Sequence, residues 1–109
     1  MTEFSDREKA FEAKFAHDQE LMFKVRARRD ALLARWAAAQ LGLPSAEGEA
    51  YVQSLVALAV QRDHEQGLVK KILADFEKAQ VPMTEHRLRK QMVELLEHAT
   101  AQVSSEVKS

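Results

Sequence analysis

Apolar side chains recur along the first forty residues at Phe4, Phe11, Phe15, Met22, Val25, Leu32 and Trp36, in steps of seven, four, seven, three, seven and four. This is the spacing of one helical face. Residues 4–41 contain neither Pro nor Gly, so nothing in the composition interrupts the pattern. A helix over residues 5–41 would be about 55 Å long at 1.5 Å per residue, well beyond the three or four turns usual in a compact domain.

Downstream the same periodicity returns in shorter blocks. After the Gly42-Leu43-Pro44 stop, Ser45 opens a second helix with Tyr51, Val52, Leu55, Val56, Leu58 and Ala59 on its apolar face, closing near Gln61 or Arg62. Asp63 is the candidate cap of a third helix, which uses Leu68, Val69, Ile72, Leu73 and Phe76. Gln80-Val81-Pro82-Met83 connects to a fourth, capped by Thr84 and carried by Leu88, Met92, Leu95, Leu96, Ala99 and Val103. Beyond Val103 the chain turns polar, and the pattern predicts fraying.

The predicted fold is therefore all-α: a small, irregular four-helix bundle with a long projecting N-terminal helix. The shorter helices, about 22 to 30 Å each, can shield only about half of the long one. They reach it through the turn at Gly42, so they should cover its second half, from Phe23 to Leu41. Residues 1–18 form a flexible or helical N-terminal segment, and residues 19–109 form the helical bundle domain. An isolated stretch of that length is a marginal helix in water. The segment is expected to be frayed when free and helical when bound. Ser5 followed by Glu8 is a capping box, which places the predicted helix start there.

Composition narrows the classes. An apolar share of 46% excludes a fully disordered chain, and three Gly with two Pro argue against a turn-rich sheet protein. The absence of Cys removes disulfides, thiol nucleophiles and thiolate metal sites. The N-terminus does not read as a signal peptide, and no apolar run approaches a membrane span. A formal charge of -1 conceals an asymmetry: residues 1–20 hold six acidic and three basic side chains, whereas residues 21–35 hold five basic ones against Asp30 alone. Lys24, Arg26, Arg28, Arg29 and Arg35 read as long stems that cover a helix while their charged ends stay in water. So short a run in a near-neutral chain is a weak footprint for nucleic acid.

Nothing in the chain reads as an enzyme. His17, His64, His86 and His98 form no HExxH pair, no nucleophile stands beside His17-Asp18, and there is no calcium loop, Gly-rich phosphate loop or dinucleotide fingerprint. The candidate chemistry is protein recognition. Phe4, Phe11 and Phe15 make a stripe near the N-terminus, and Arg7, Glu8, Glu12, Lys14 and Asp18 accompany it. Phe11 and Phe15 lie one turn apart and project together. The stripe packs on the chain's own helices, on a second copy, or into another protein.

The residues also carry a family resemblance. Phe4, Asp6-Arg7-Glu8, Ala10-Phe11-Glu12, Lys14-Phe15-Ala16-His17-Asp18, Phe23, Ala27-Arg28-Arg29, Leu32-Leu33, Trp36-Ala37 and Leu41-Gly42 resemble the zeta subunit family of alphaproteobacterial ATP synthases. A weaker echo follows in Ala74-Asp75-Phe76 and from Leu88 to Leu96. The resemblance implies a four-helix protein that binds the F1 head and inhibits ATP hydrolysis. It implies that residues 1–18 enter an interface between alpha and beta subunits and touch the gamma subunit. The implied place is cytoplasmic, peripheral to the membrane through the ATP synthase, with no direct membrane insertion. No cofactor is required, although weak ATP or ADP binding, with no ligand residues assigned, is also implied for some members. The alternatives are an F1-binding assembly or regulatory protein without inhibition, and an adenine-nucleotide-responsive helical module. Val25-Arg26 and Asp30 depart from the family pattern and bear on docking strength.

Overall fold

The computed structural model describes the backbone of residues 2–59 and 64–108, and the side-chain surroundings of residues 18–59 and 65–106. Four α-helices and no strand occur among the described residues: α1 (Thr2–Gln40), α2 (Ser45–Ala59), α3 (His64–Lys78) and α4 (Glu85–Lys108). The predicted all-α, four-helix architecture is correct. At 39 residues, α1 is about 58 Å long and sets the long axis of a molecule measuring 65 × 28 × 22 Å.

Both connectors after α1 and α3 are closed by the same device. Gly42 takes the left-handed conformation at φ 69°. Its N–H donates to Ala39 O at 3.0 Å, while Leu43 N–H donates to Ala38 O at 3.2 Å. These are the paired bonds of a Schellman cap, which satisfy the last carbonyls of α1. Gln80 repeats it at φ 60° without the freedom of glycine. There Gln80 N–H reaches Glu77 O at 3.0 Å and Val81 N–H reaches Phe76 O at 2.8 Å. Val81 then packs against the core, which offsets part of the strain of a left-handed Gln. Thr84 caps α4 as the sequence predicts, accepting from Arg87 N–H at 3.1 Å.

Helix α1 packs against both α2 and α4, and α3 packs on α2 and, less extensively, on α4. The main core joins Leu33, Ala34, Ala37 and Ala38 of α1 to Val52 and Leu55 of α2, Leu68, Val69, Ile72 and Phe76 of α3, and Leu88 and Met92 of α4. Alanines on α1 let α2 come close: a Cβ placed on Gly48 would lie 3.9 Å from Ala38 Cβ. Gly48 does not loosen the first turn of α2, because its N–H donates to Pro44 O at 2.7 Å. Trp36 lies 5.8 Å from Phe76, centroid to centroid and tilted by 36°, as a half-buried lid on the core. A second, smaller core joins Val25 of α1 to Ala99 and Val103 of α4, with Leu21, Leu32 and Leu96 around it.

Two boundaries and one burial differ from the sequence expectation. Helix α1 begins at Thr2, so Ser5 falls inside it instead of capping it. Thr2, Glu3 and Phe4 contain no breaker, and the backbone ladder extends through them. Helix α4 continues to Lys108, past the predicted end at Val103. Polar anchors hold this last stretch where apolar ones are missing: Arg28 donates to Gln102 Oε1 at 2.9 Å and pairs with Glu106 at 2.7 Å. Val56 is partly exposed instead of buried. The predicted close of the second helix near Gln61 or Arg62 and the Asp63 cap lie outside the described residues.

Candidate protein-docking surface

The cover on α1 stops abruptly. Leu21 and Val25 are the outermost described residues of α1 that pack on another helix, and they do so against the C-terminal end of α4. Between and beyond them, Asp18, Gln19, Glu20, Met22, Phe23 and Lys24 are exposed. Met22 keeps 47% and Phe23 74% of its surface open. The helix nevertheless continues toward Thr2, so the chain presents a rod that leaves the bundle without changing its backbone.

Of the residues singled out as candidate contacts, Asp18 stands exposed on that rod. Phe4, Arg7, Glu8, Phe11, Glu12, Lys14 and Phe15 belong to α1, and their side chains lie outside the described residues. Register on a straight helix still orders these positions. Phe4 and Met22 are eighteen residues apart, which is five full turns, and Phe11 and Phe15 fall within about 20° of that line. Phe15 and Leu33 share the same spacing. The line of apolar positions on α1 is thus continuous in sequence from Phe4 to the core residue Leu33.

Sequence reasoning missed two features at this junction. Phe23 was grouped with the covered half of α1. Its position is about 100° round the helix from Met22, off the line of Phe4, Phe11 and Phe15 and on the side of Ala27 and Ala34, and this was the signal available. The second is Arg29, assigned to a solvated basic face, which is only 5% exposed beside Asp30 at 8%. Arg29 Nε and Nη2 donate to Asp30 Oδ1 at 3.1 and 3.0 Å, and Nη1 lies 3.5 Å from Glu65 Oε1 near the start of α3. Burial of two charges is tolerated because each neutralises the other and the guanidinium donates twice to one carboxylate oxygen. The pair pins α3 to α1 about two turns from where the cover ends.

Of the other basic residues, Arg28 is half-buried and pairs with α4, whereas Lys24, Arg26 and Arg35 are exposed. They form no single concave cationic face. A groove of about 460 Å³ between α3 and α4 is edged by Glu77 and Glu85, which disfavours an anionic ligand. Tyr51 donates to Asp75 Oδ2 at 2.8 Å, and Lys71 donates to Asp75 Oδ1 at 3.0 Å. Burial, then the hydrogen bond to Asp75 and its charge, pushes the Tyr51 hydroxyl above its ordinary range. This group ties α2 to α3 in its neutral form. Among the described residues no cluster of His, Asp and Glu has the arrangement of a metal site, and no helix is long and apolar enough to cross a membrane.

A small helical bundle with an extended, partly uncovered helix has the shape of the class of helical proteins that offer one helix to a partner. Within that class, the family model described as ATPase inhibitor subunit zeta matches residues 1–102, and the chain belongs to that family. The match includes both the uncovered part of α1 and most of the bundle. No curated protein matches the chain. Membership makes the protein an ATPase inhibitor subunit and its partner an ATPase.

Proposed function

We propose that the chain inhibits ATP hydrolysis by the F1 sector of a bacterial ATP synthase, with the N-terminal part of α1 inserted at a catalytic interface between alpha and beta subunits and against the gamma subunit. The observation that carries this reading is the exposure of α1 over residues 18–20 and 22–24, where the helix runs on toward Thr2, together with the family match over residues 1–102. A helix already started and already aligned loses less conformational entropy on docking than a disordered peptide of equal length.

Phe4, Phe11 and Phe15 supply the apolar line that enters the interface. Arg7, Glu8, Glu12, Lys14 and Asp18 flank it and fix its register by charge pairing. The bundle behind Leu21 is too wide to follow, so it sets the depth of insertion. A catalytic interface held apart in this way cannot close around its nucleotide, and turnover stops without any reaction by the inhibitor. The protein would then sit at the membrane surface only through the enzyme it binds.

The test is ATP hydrolysis by cognate F1 titrated with the full-length chain. Turnover is expected to fall in parallel with occupancy. Saturated binding with undiminished turnover would instead assign the chain to assembly or non-inhibitory regulation.

A further inference from the structure

One face of α1 is used twice. Ala34 and Ala38 are buried beneath neighbouring helices, at 0% and 7% exposure. Stepping back along the same face by seven and then four residues reaches Ala27 and Phe23, which are both exposed. The packing face therefore continues past its cover, and where the cover is missing the chain changes from Ala to a large aromatic ring.

Beside this stretch lies a groove of about 550 Å³ between α1 and α4, lined by Phe23, Lys24, Ala27, Ala31, Val103 and the Arg28–Glu106 pair. Its floor is apolar, and its small residues at 27 and 31 leave room for a helix at the usual interaxial distance of about 8 to 10 Å. The rim is cationic. Arg28 is neutralised by Glu106, which leaves Lys24 as the cation of this lining with no ion-pair partner among the described residues. An exposed aromatic beside an unpaired lysine at the mouth of an apolar groove matches an acidic partner carrying apolar side chains.

We infer that the Phe23 groove is a second docking site, which takes an acidic amphipathic helix of the same ATPase and grips the bundle while the N-terminal part of α1 is inserted. This rests on the function proposed above and adds to it a contact outside the inserted segment. The groove adjoins the root of that segment, so any enzyme that holds the rod comes to lie against Phe23. Two linked contacts raise the residence time more than either alone, because the second forms at a high effective concentration. The rod blocks, and the groove retains.

Full-length Phe23→Ala and Lys24→Glu variants, with the wild type, can be measured for binding to cognate F1 and for inhibition of hydrolysis. Helical content and thermal midpoint are expected to match the wild type, since both side chains are exposed. Phe23→Ala should weaken binding about 30-fold, the loss typical of a truncated aromatic hot spot. Lys24→Glu should weaken it about tenfold at low salt, and its deficit should shrink as salt is raised. Both variants should still inhibit fully once saturating, which separates retention from blocking. If the wild type inhibits but both variants bind within about twofold of it, the groove proposal is overturned and the proposed function stands. A wild type that neither binds nor inhibits overturns both. A wild-type dimer seen by light scattering and abolished by Phe23→Ala would give the groove to a second copy of the chain and overturn the assignment to the ATPase.

Discussion

Leu33 and Phe23 stand ten residues apart on one unbroken helix, yet Leu33 is completely enclosed and Phe23 keeps 74% of its surface in solvent. The backbone between them is the same, and both side chains are large and apolar. What separates them is the reach of the other helices. Helices α2 and α3, at 15 residues each, are only about 22 Å long, and α3 meets α1 near Arg29 through the contact with Glu65. Only α4 extends farther, as far as Val25 and Leu21. One helix thus serves as scaffold in its C-terminal half and, in the function proposed above, as ligand in its N-terminal part.

The strongest way to break this comparison is to remove the ligand half. A chain lacking residues 1–18 should keep its helical bundle and unfold at nearly the full-length midpoint, because both described cores begin at Leu21 or later. Its inhibition of hydrolysis should be essentially lost. A truncated chain that unfolds far earlier would show that the N-terminal part of α1 belongs to the fold; one that still inhibits would move the blocking surface into the bundle.

Next in size is the buried pair at the boundary. Arg29→Ala strands Asp30 in a site that is almost closed to water. Removal of one partner of a buried ion pair costs about 3 to 5 kcal/mol, read as a lower urea midpoint. Replacing both residues with apolar ones of similar volume should recover much of that loss, which distinguishes a stranded charge from lost packing.

Tyr51→Phe tests the bundle away from the boundary. It removes a hydrogen bond to a carboxylate and should cost about 1 to 2 kcal/mol at neutral pH, with inhibition by the folded protein unchanged. The pH dependence has a definite sign. Tyr51 holds its proton more tightly when folded than unfolded, so above about pH 10, where an unfolded tyrosine ionises, the folded state binds more protons and stability falls as pH rises. The variant should lose that part of the alkaline decline, measured by comparing urea midpoints at neutral and alkaline pH.

The smallest effect belongs to the outer tie. Glu106→Gln weakens the charge pair with Arg28, whose side chains are 34% and 58% exposed. A change of at most about 1 kcal/mol is expected, disappearing at high salt. Amide exchange restricted to the last turns of α4 would locate it.

Much of this architecture was readable without coordinates. The apolar steps from Phe4 to Trp36 specify a helix too long for its neighbours, Gly42 and Pro44 end it, and Thr84 begins the last one. These are local effects, decided by spacing, by the stereochemistry of Gly and Pro, and by hydrogen bonds over three or four residues. The dense N-terminal block also carried the family, which the match over residues 1–102 bears out. The left-handed Gln80, the enclosed Arg29–Asp30 pair and the extension of α4 to Lys108 were not readable in this way. Each depends on a partner far along the chain: the core that receives Val81, the α3 residue that meets Arg29, and the α1 residue that holds Glu106. The sequence by itself determined where the helices are and which faces are apolar, since both follow from short-range geometry. Which apolar residues are covered was decided only by tertiary structure, because burial depends on which side of α1 a neighbouring helix reaches, and α4 packs on Leu21 and Val25 while leaving Phe23 between them open.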